Sequence, residues 1–489
     1  MFYAFIECIL FLFLLKIIIN MERYLWKINN YKFPSIDEDK ECDVLIVGAG
    51  ITGISTAYYL KDYNANVILI ERDKLGCGTT MRSSAKLTIL QQDIALKIYK
   101  CYGTKKTKSY INSQALAIKE IVSVIKKEKI KCELKKNNSY VYINDIKNEN
   151  KITKLFNIYK MCGYEPFYSK IPNVKSYLSF GLKDSYVFHP SLYIRGLVKV
   201  LKKYNNISIY EKTSFVQYNK VDDFYEVILN NGRKIKCKHL VFANHYLPFV
   251  TPYFLPLRNY LETSLIYVDK NKKENNLYNA INLDKDIFSI RYFKDMKMLV
   301  ANSKELSNKT ILKNNYNDCK YFWHNYDLMT HNAFPLIGKI KDEENIYFAS
   351  GYNTWGMTNS NIAARIISSL IKSEENDLLD IYSTVYSISL YSFYNSVKHN
   401  SLQLFHFIFS YFKKNRNVKI VWKDGKRLGI YTDNKGNEHV VSITCPHMKC
   451  SLQFNDNTKC WECPCHGSEF DVDGNLLRGP STKCIKAKK

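Results

Sequence analysis

Hydrophobic and polar positions along this chain predict its main elements before any motif is considered. Residues 43–47 form a short β-branched run that favours a buried parallel strand, and residues 67–70 form a second one. Residues 54–61 have apolar positions at helical spacing. Residues 346–371 repeat the order of strand, glycine-bearing turn and helix, with the helix expected over 362–371. The pattern predicts an α/β fold in this part of the chain.

The carboxy-terminal part has a different pattern. Residues 428–432 and 440–444 predict short strands of a small all-β domain. Before them, residues 396–412 are amphipathic, and we expect this stretch to pack on the protein body rather than on a membrane.

The first twenty residues are apolar but do not fit a standard targeting segment. Their longest uninterrupted apolar stretch is eight residues, whereas a transmembrane helix needs about 20. No small-residue cleavage site follows, which disfavours a secretory signal. Two interpretations stay open. We favour a translation start at Met21; in the alternative, residues 1–20 anchor the chain to a membrane.

Composition narrows the function classes. The 489 residues are 46% hydrophobic and 24% charged, as in ordinary globular proteins, which excludes a wholly disordered or polytopic membrane chain. The formal net charge is +25, but the basic residues are spread along the chain rather than gathered on one element. We therefore expect no nucleic-acid partner. Six of the 14 cysteines lie in the last 45 residues, which indicates a metal site there.

A glycine-rich turn follows the first predicted strand. Its glycines permit the tight turn, the approach of a pyrophosphate to the backbone, and close packing of helix on strand. The N–H groups at the start of the helix would face the phosphates, and an acidic residue at the end of the second strand would accept hydrogen bonds from a ribose. The motif predicts a dinucleotide-binding fold and leaves FAD and NAD both open. The residues concerned are Gly48, Gly50, Ile51, Thr52, Gly53 and Glu71.

The segment after Glu71 resembles the D-amino-acid oxidase superfamily of flavoproteins. In that family a Gly-Thr-Thr segment follows the acidic residue and passes beside the flavin, and residues 78–80 stand at that place here. The resemblance continues through residues 213–216, 240–245 and 346–358, which in the family meet the adenine, the underside of the cofactor and the pyrimidine edge of the flavin. It implies bound FAD. The further cofactor-binding residues that it implies are Arg72, Thr79, Thr80, Ser84, Val216, Gly351, Gly356, Met357 and Thr358.

Cysteine and histidine occur in two boxes near the carboxy terminus. Cys445 and His447 form the first box, and Cys463 and His466 form the second, which begins 18 residues later. A structural zinc site could use two cysteines and two histidines. However, each box pairs one cysteine with one histidine and carries an extra cysteine, which is the pattern of a Rieske centre. We therefore predict one Rieske-type [2Fe-2S] cluster with these four ligands, and zinc is the alternative.

The boxes also resemble those of respiratory Rieske proteins. The resemblance implies a disulfide between Cys450 and Cys465 that braces the two cluster loops, and a Ser468 hydroxyl that donates to a cluster sulfur. Those proteins carry a tyrosine where this chain has Phe470. Because one hydrogen-bond donor is lost, we expect a lower reduction potential than theirs.

The expected architecture is α/β plus α+β. A Rossmann-like FAD-binding domain is interleaved with an antiparallel-sheet substrate domain, and a small all-β Rieske domain follows. The expected bounds are 21–372 for the flavoprotein unit, 373–417 for a helical connector and 418–489 for the Rieske domain. Within the flavoprotein unit, we expect FAD-binding parts near 43–90, 186–245 and 331–372, and substrate-binding parts near 91–185 and 246–330.

The two modules in one chain resemble a bacterial family of FAD-dependent oxidoreductases with a carboxy-terminal Rieske domain. The resemblance implies oxidation of a small-molecule donor, an amine or amino acid, and transfer of electrons through the cluster to an external acceptor protein or quinone. No catalytic base is assigned, and His189, His245, His324 and His331 are candidates by residue type alone. The alternative is an electron-transfer or redox-sensing protein without its own organic substrate. We expect a cytoplasmic location, or membrane association if residues 1–20 form an anchor.

Overall fold

The computed structural model places the described residues in two compact units. The first unit contains the described residues from Leu25 to His245 and from Leu257 to Tyr382, and the second contains Tyr246 and those from Val397 onward. Predictions for residues 1–20, for most of 396–412, and for His324 and His466 fall outside the description. The described residues are 25–26, 31–246, 257–260, 264–269, 278–284, 288–293, 296–302, 325, 327–340, 343–382, 397, 401, 408, 411, 418–455, 459–465, 467–479, 481 and 483–487.

Six helices are described in the first unit. The second of them is interrupted at Gly103, whose φ is +72°. Within the described ranges, no helix combines the length and the apolar character that a membrane crossing requires. The helices are α1 (Ile51–Leu60), α2 (Ile94–Lys127), α3 (Glu149–Met161), α4 (Pro190–Leu201), α5 (Gly356–Lys372) and α6 (Asp377–Tyr382), with short 3-10 helices at Thr79–Arg82 and Ile146–Asn148.

The strands of the first unit belong to two large sheets and one strand pair. In chain order they are β1 (Lys40–Val47), β2 (Val67–Ile70), β3 (Lys86–Leu87), β4 (Lys135–Ile143), β5 (Phe167–Tyr168), β6 (Leu178–Val187), β7 (Ile207–Tyr210), β8 (Phe215–Val221), β9 (Phe224–Leu229), β10 (Lys234–Phe242), β11 (Leu257–Tyr260), β12 (Ser264–Asp269), β13 (Tyr278–Asn282), β14 (Phe288–Phe293), β15 (Met296–Asn302), β16 (Asp327–Thr330), β17 (Leu336–Lys339) and β18 (Ile346–Ser350).

The first large sheet is the predicted α/β sheet. Its order is β17-β18-β10-β1-β2-β7, and the β8–β9 hairpin extends it beside β10. β1 runs parallel to both β2 and β10, and β10 runs parallel to β18. The carboxyl ends of β1, β2, β10 and β18 therefore meet at one edge, which is where ligands bind in open α/β sheets.

The second large sheet has the order β12-β15-β14-β13-β4-β6-β3, with β5 beside β6. Its pairings are antiparallel except for β13 with β4, which is parallel. This agrees with the predicted antiparallel-sheet domain, apart from that one parallel pairing. β3 is the short strand that follows the loop after β2, so the chain passes directly from the first sheet into the second.

Both predicted helices begin earlier than the apolar pattern indicates. α1 begins at Ile51 rather than at residue 54, and α5 begins at Gly356 rather than at residue 362. The first turns of α5 are polar but buried, because their side chains find partners on other elements: Asn359 Oδ1 accepts from Gln114 at 2.7 Å, and Asn361 Nδ2 donates to Glu120 at 2.7 Å.

The second unit consists of two small antiparallel sheets. Trp461 is fully buried between them, and Gly429 lies against it, since a Cβ at residue 429 would be 2.3 Å from the indole. Two loops matter for the site, one between β21 and β22 and the other between β23 and β24. The strands are β19 (Lys419–Lys423), β20 (Lys426–Thr432), β21 (Glu438–Ser442), β22 (Gln453–Asn455), β23 (Cys460–Glu462), β24 (Glu469–Phe470) and β25 (Leu476–Arg478).

Candidate functional site

The turn between β1 and α1 requires glycine at two positions. Gly48 has φ +105°, and a Cβ there would lie 2.8 Å from the carbonyl oxygen of Ala243, just after β10. A Cβ at Gly53 would lie 2.0 Å from the Gly48 carbonyl oxygen. Gly50 differs, because among the described atoms a Cβ there would meet only Thr80 Oγ1, at 3.4 Å. The backbone at Gly50 is therefore open to a ligand.

The start of α1 lies beside this open position. Ile51 N–H donates to Thr80 Oγ1 at 3.1 Å. The Thr52 hydroxyl is bonded instead to Ser360 Oγ and to the Tyr352 hydroxyl, both at 3.0 Å, which ties α1 to α5. Gly50, the residue before the helix, has no side chain to cap it, and the Thr80 hydroxyl satisfies the N–H of Ile51. The other amino-terminal N–H groups of α1 and the positive end of its dipole thus suit a phosphate.

Two carboxylates organise the loop after β2. Glu71 accepts hydrogen bonds from the N–H groups of Ala49 and Asp73, both at 2.9 Å. Burial raises the pKa of Glu71, and the two N–H bonds oppose the shift. Glu211, after β7, accepts from Leu75 N–H at 2.8 Å. Glu211 was not predicted, because its neighbours in sequence carry no motif.

Two of the predicted cofactor residues lie near the protein surface. The Arg72 side chain is 42% exposed and lies 3.4 Å from Asp73. Val216 is half-buried at an irregularity in β8, where the pairing with β9 shifts between Phe215 and Gln217.

Two buried side chains hold the loop around Ser84. The loop begins as the 3-10 helix Thr79–Arg82. Trp26 Nε1 donates to the Ser83 carbonyl at 2.8 Å, and the Arg291 guanidinium donates to the Ser84 carbonyl. Arg291 is fully buried, and its guanidinium lies 5.1 Å from the centre of the Trp26 ring. Both holding residues are distant in sequence from the loop, so no local pattern could reveal them.

Asn353 organises the turn before α5. Its Nδ2 donates to the carbonyls of Gly351 and Ala333 at 3.0 Å, and its Oδ1 accepts from Thr330 N–H at 2.8 Å. Asn353 has φ +52°, a conformation that asparagine adopts more readily than most residues. The turn leads to the start of α5, where the predicted flavin residues are Gly356, Met357 and Thr358.

A buried amine lies between these two segments. Lys86 follows the Ser84 loop, is 7% exposed, and bonds through Nζ to the Ser289 hydroxyl on β14. The same Nζ lies 5.7 Å from the centre of the Trp355 ring at the start of α5. Burial, together with the charge of Arg291, lowers the pKa of Lys86 to about 7. Neither Lys86 nor Ser289 is among the predicted site residues.

The polar groups of the first unit suit the binding of FAD. The open backbone at Gly50 lies beside helix N–H groups, and the Glu71 carboxylate stands at the end of the neighbouring strand. Trp355 Nε1 is a buried donor with no acceptor among the described residues. A ligand with phosphates, a ribose and a ring with acceptor atoms would satisfy these groups together.

Three of the four histidines considered by type lie among the described residues. His189 caps α4, because its Nδ1 accepts from Leu192 N–H at 3.3 Å. The His245 carbonyl accepts from the Ser350 hydroxyl at 2.7 Å, and His331 lies in the turn between β16 and β17. These contacts assign no catalytic base.

The two cysteine loops of the second unit are closed in the same way. Cys445 N–H donates to the Cys450 carbonyl at 2.9 Å, and Cys463 N–H donates to the Ser468 carbonyl at 2.8 Å. The N–H of Lys449 also donates to the Cys445 carbonyl, and the N–H of Gly467 donates to the Cys463 carbonyl, both at 2.9 Å. The two thiols that begin the loops are buried. Equivalent backbone closures thus present the predicted cysteine ligands.

The two thiols form a hydrogen-bonded pair. The pKa of Cys445 is lowered to about 7, chiefly because Cys463 hydrogen bonds to its sulfur, while burial opposes the shift. The backbone N–H groups of His447 and Met448 lower it further, as does the Ser468 side chain. Thiolate is the form of cysteine that binds metal, so this environment favours a metal-bound state.

His447 lies two residues after Cys445 on the same loop. Burial lowers its pKa to about 4, so the imidazole is neutral at neutral pH, which is the form that binds a metal. The paired thiols and the neutral imidazole on one loop fit a [2Fe-2S] centre with mixed ligands.

A disulfide joins the two loops. It links Cys450 to Cys465, and the Cys463 sulfur lies within 4.8 Å of both its sulfurs. Ser468 is fully buried, and its Oγ accepts from Ser481 N–H at 3.0 Å. Phe470, which stands where respiratory relatives have tyrosine, is also fully buried.

Comparison with known proteins gives consistent results for the two units. Residues 43–370 match the family described as FAD dependent oxidoreductase (DAO), and residues 410–489 match the Rieske [2Fe-2S] domain. A Bacillus subtilis protein named as a Rieske 2Fe-2S iron-sulfur protein, YhfW, is 28% identical over 494 residues, which cover 93% of this chain and 94% of its own.

Two further proteins are similar to parts of this chain. Gamma-glutamylputrescine oxidoreductase from Escherichia coli is 31% identical over 115 residues, which cover 23% of this chain and 26% of its own. The structure of L-amino acid deaminase from Proteus vulgaris superposes with a TM-score of 0.59 at 13% identity, covering 73% of this chain and 100% of its own. At this identity the superposition shows a shared fold alone.

Proposed function

Because this chain belongs to the FAD-dependent oxidoreductase (DAO) family and carries a Rieske [2Fe-2S] domain, we propose that it oxidises a small amine or amino acid and passes the electrons through the cluster to an external acceptor. FAD and one [2Fe-2S] cluster are its cofactors. The observation that carries the proposal is the presence of both redox modules in one chain.

The two cofactors have complementary chemistry. FAD accepts two electrons from an organic donor, whereas the Rieske cluster accepts one electron at a time. In the first unit, Gly50 and the start of α1 would hold the pyrophosphate, and Glu71 would hold the ribose. The loop that Trp26 and Arg291 fix and the turn that Asn353 fixes would orient the ring. These residues position the cofactor against the donor, which is the main task of protein in such enzymes.

The second unit supplies the exit for electrons. Cys445 and Cys463 would hold one iron, and His447 and His466 the other. Met448, the residue after His447, is 40% exposed. An accessible apolar side chain thus follows the proposed ligand His447, and an acceptor protein or a quinone could contact it there.

The donor class is inferred from the relatives. One relative is named for gamma-glutamylputrescine, which is an amine, and a structure of the same fold is named for L-amino acids. The first of these proteins covers 23% of this chain and the second covers 73%. Both support an organic donor with a C–N bond.

The test is to isolate the protein without oxygen and to measure FAD, iron and sulfide per chain. We expect one FAD, two irons and two sulfides, and a rhombic EPR signal after reduction with dithionite. A panel of amines and amino acids is then added anaerobically. The proposed donor should bleach the flavin absorbance and then produce the cluster signal.

The Cys463→Ser variant separates the two modules in this test. It should keep donor-dependent bleaching of the flavin and lose the cluster signal. Zinc without sulfide in the wild type would refute the Rieske cluster. Intact cofactors that no donor reduces, but that a redox protein does reduce, would favour the electron-transfer or redox-sensing alternative.

A further inference from the structure

Lys86 connects the two segments that are proposed to flank the flavin ring. It opens β3, two residues after Ser84, and its Nζ reaches the Trp355 ring at the start of α5 at 5.7 Å. A third element holds it, because Nζ also bonds to the Ser289 hydroxyl on β14. The amine is therefore placed beside the ring position and is only 7% exposed.

Few charged groups act on this amine. Val187 pairs with it from β6, Ser289 and Arg291 face it from β14, and Trp355 faces it from the start of α5. Of these only Arg291 is charged, and in the described part of the chain no carboxylate pairs with Lys86. Burial lowers the pKa of Arg291 to about 9, the charge of Glu133 opposes that shift, and Arg291 is therefore cationic at neutral pH. Its guanidinium donates to the carbonyls of Ser84 and Phe188, and its positive charge disfavours a second cation nearby.

The contacts of Lys86 suit both of its protonation states. A serine hydroxyl can accept a hydrogen bond from an ammonium group or donate one to a neutral amine, so the bond to Ser289 survives a change of charge. The face of the Trp355 indole favours the charged form. The pKa of Lys86 is lowered to about 7, which is close to neutral pH. A modest change in nearby charge would therefore change the protonation state of the Lys86 amine.

We propose that Lys86 is the proton-holding residue of the flavin site, uncharged beside oxidised FAD and protonated beside reduced FAD. The inference rests on the proposed binding of FAD. When two electrons reach the flavin, one proton goes to ring N5 and the ring keeps a negative charge. A second proton, from solvent, then goes to Lys86 Nζ and forms an ammonium group that balances this charge. When the electrons leave, the proton returns to solvent.

An amine that gains and loses a proton beside the flavin suits the stepwise transfer of electrons to a cluster. Two electrons enter together and leave one by one, so the charge of the ring changes in steps. A neighbouring amine that gains and loses a proton keeps the net charge of the buried site nearly constant. A permanent cation at this position would instead stabilise the reduced flavin after the electrons should have left it.

The experiment is the pH dependence of the flavin midpoint potential in the full-length holoenzyme, followed by flavin absorbance during reduction with dithionite and redox dyes. Above about pH 7 the wild type should take up two protons for two electrons, and below it one, so the slope of potential against pH should double on the alkaline side. If the second proton went to ring N1 instead, the steeper slope would lie on the acid side.

Two variants should shift the flavin midpoint potential in opposite directions. Lys86→Met has no charge, so we expect the one-proton slope throughout and a lower potential than that of the wild type. Lys86→Arg keeps a permanent charge, so we expect the same one-proton slope and a higher potential. Ser289→Ala is the milder control, because it removes one hydrogen bond and leaves the amine, and it should keep the change of slope.

The outcomes separate this inference from the proposed function. A wild type that binds FAD but has no change of slope, or variants that keep the wild-type slope, would overturn the role of Lys86 and leave the proposed function standing. A full-length protein that binds no FAD would overturn both. Because the wild-type slope needs no substitution, a variant that fails to fold does not prevent the decision.

Discussion

The flavin unit and the Rieske domain hold their redox groups in opposite ways. In the Rieske domain the donors lie on two neighbouring loops, each closed by its own backbone, and one disulfide joins them. In the flavin unit the site is gathered from distant segments, and the loop at Ser84 is held by Trp26 and Arg291. The Rieske site therefore depends on a few local residues, whereas the flavin site depends on the integrity of the whole fold.

The largest expected effect comes from removing a cluster ligand. Cys463→Ser should abolish the iron and the EPR signal and leave the FAD content unchanged, because the ligand is local to its domain. Cys484→Ser is the matched control, since Cys484 is free and exposed, and it should keep both cofactors. Metal analysis and flavin absorbance measure the result. Loss of FAD in Cys463→Ser would show that the two sites are not independent.

Removal of the disulfide should have the next largest effect. Replacing Cys450 and Cys465 together with alanine should destabilise the Rieske domain, since loss of a native disulfide typically costs about 2–5 kcal/mol. The measurement is the temperature at which the cluster absorbance is lost, with flavin release as the internal reference. We expect earlier cluster loss and unchanged flavin release. Cys484→Ala removes an exposed cysteine outside the disulfide from the same domain and should change neither temperature.

In the flavin unit, Gly53→Ala should weaken FAD binding. The added methyl would lie 2.0 Å from the Gly48 carbonyl, and such overpacking costs about 1–3 kcal/mol. We expect less FAD per chain and a lower unfolding temperature of this unit, with normal iron content. Lys119→Ala is the control, because Lys119 is an exposed residue of α2 outside the predicted cofactor site, and it should leave the FAD content unchanged. Equal FAD content in both variants would contradict the close packing of α1 on the turn.

The smallest expected effect is a pH dependence of the Rieske domain. His439 Nδ1 lies 2.7 Å from Asp473 and Nε2 lies 3.6 Å from Asp433, and the hydrogen bond with Asp473 is the main reason that the pKa of His439 is raised. A raised pKa stabilises the fold below the unfolded value of about 6.5, and this contribution is lost as pH rises through the folded pKa.

The measurement is the thermal stability of the wild type and of His439→Gln across pH. The wild type should be the more stable at pH 6, and the difference should shrink towards pH 9. A difference that stays constant across this range would mean that protonation of His439 contributes nothing. Asp473→Asn should reproduce the behaviour of His439→Gln, since it removes the main partner.

The sequence was most informative where function is local. Cys445, His447 and Cys463 stand in a fixed spacing, and Glu71 follows a strand whose end it marks. Each of these patterns involves residues that are close together in sequence, so it can be recognised from the sequence alone. The α/β sheet was likewise predicted from continuous apolar runs, because strands buried on both faces need no polar alternation.

The remaining features arise only after folding. Lys86 and Ser289 are separated by 203 positions, and Arg291 and the Ser84 carbonyl by 207, so neither contact has a local signal. The start of α5 was placed six residues too late for the same reason. Asn359 is polar and yet fully buried, because its partner Gln114 belongs to α2.

The parallel pairing of β1 with β10 has a consequence for the synthesis of the chain. Ribosomes add about 5–20 residues per second, so β1 waits on the order of tens of seconds for β10 and for the start of α5 to emerge. The cluster loops emerge later than the start of α5 and almost together. The growing chain thus contains all of the proposed FAD-binding residues before its proposed cluster ligands exist, and we expect the order of translation to favour loading of FAD before iron.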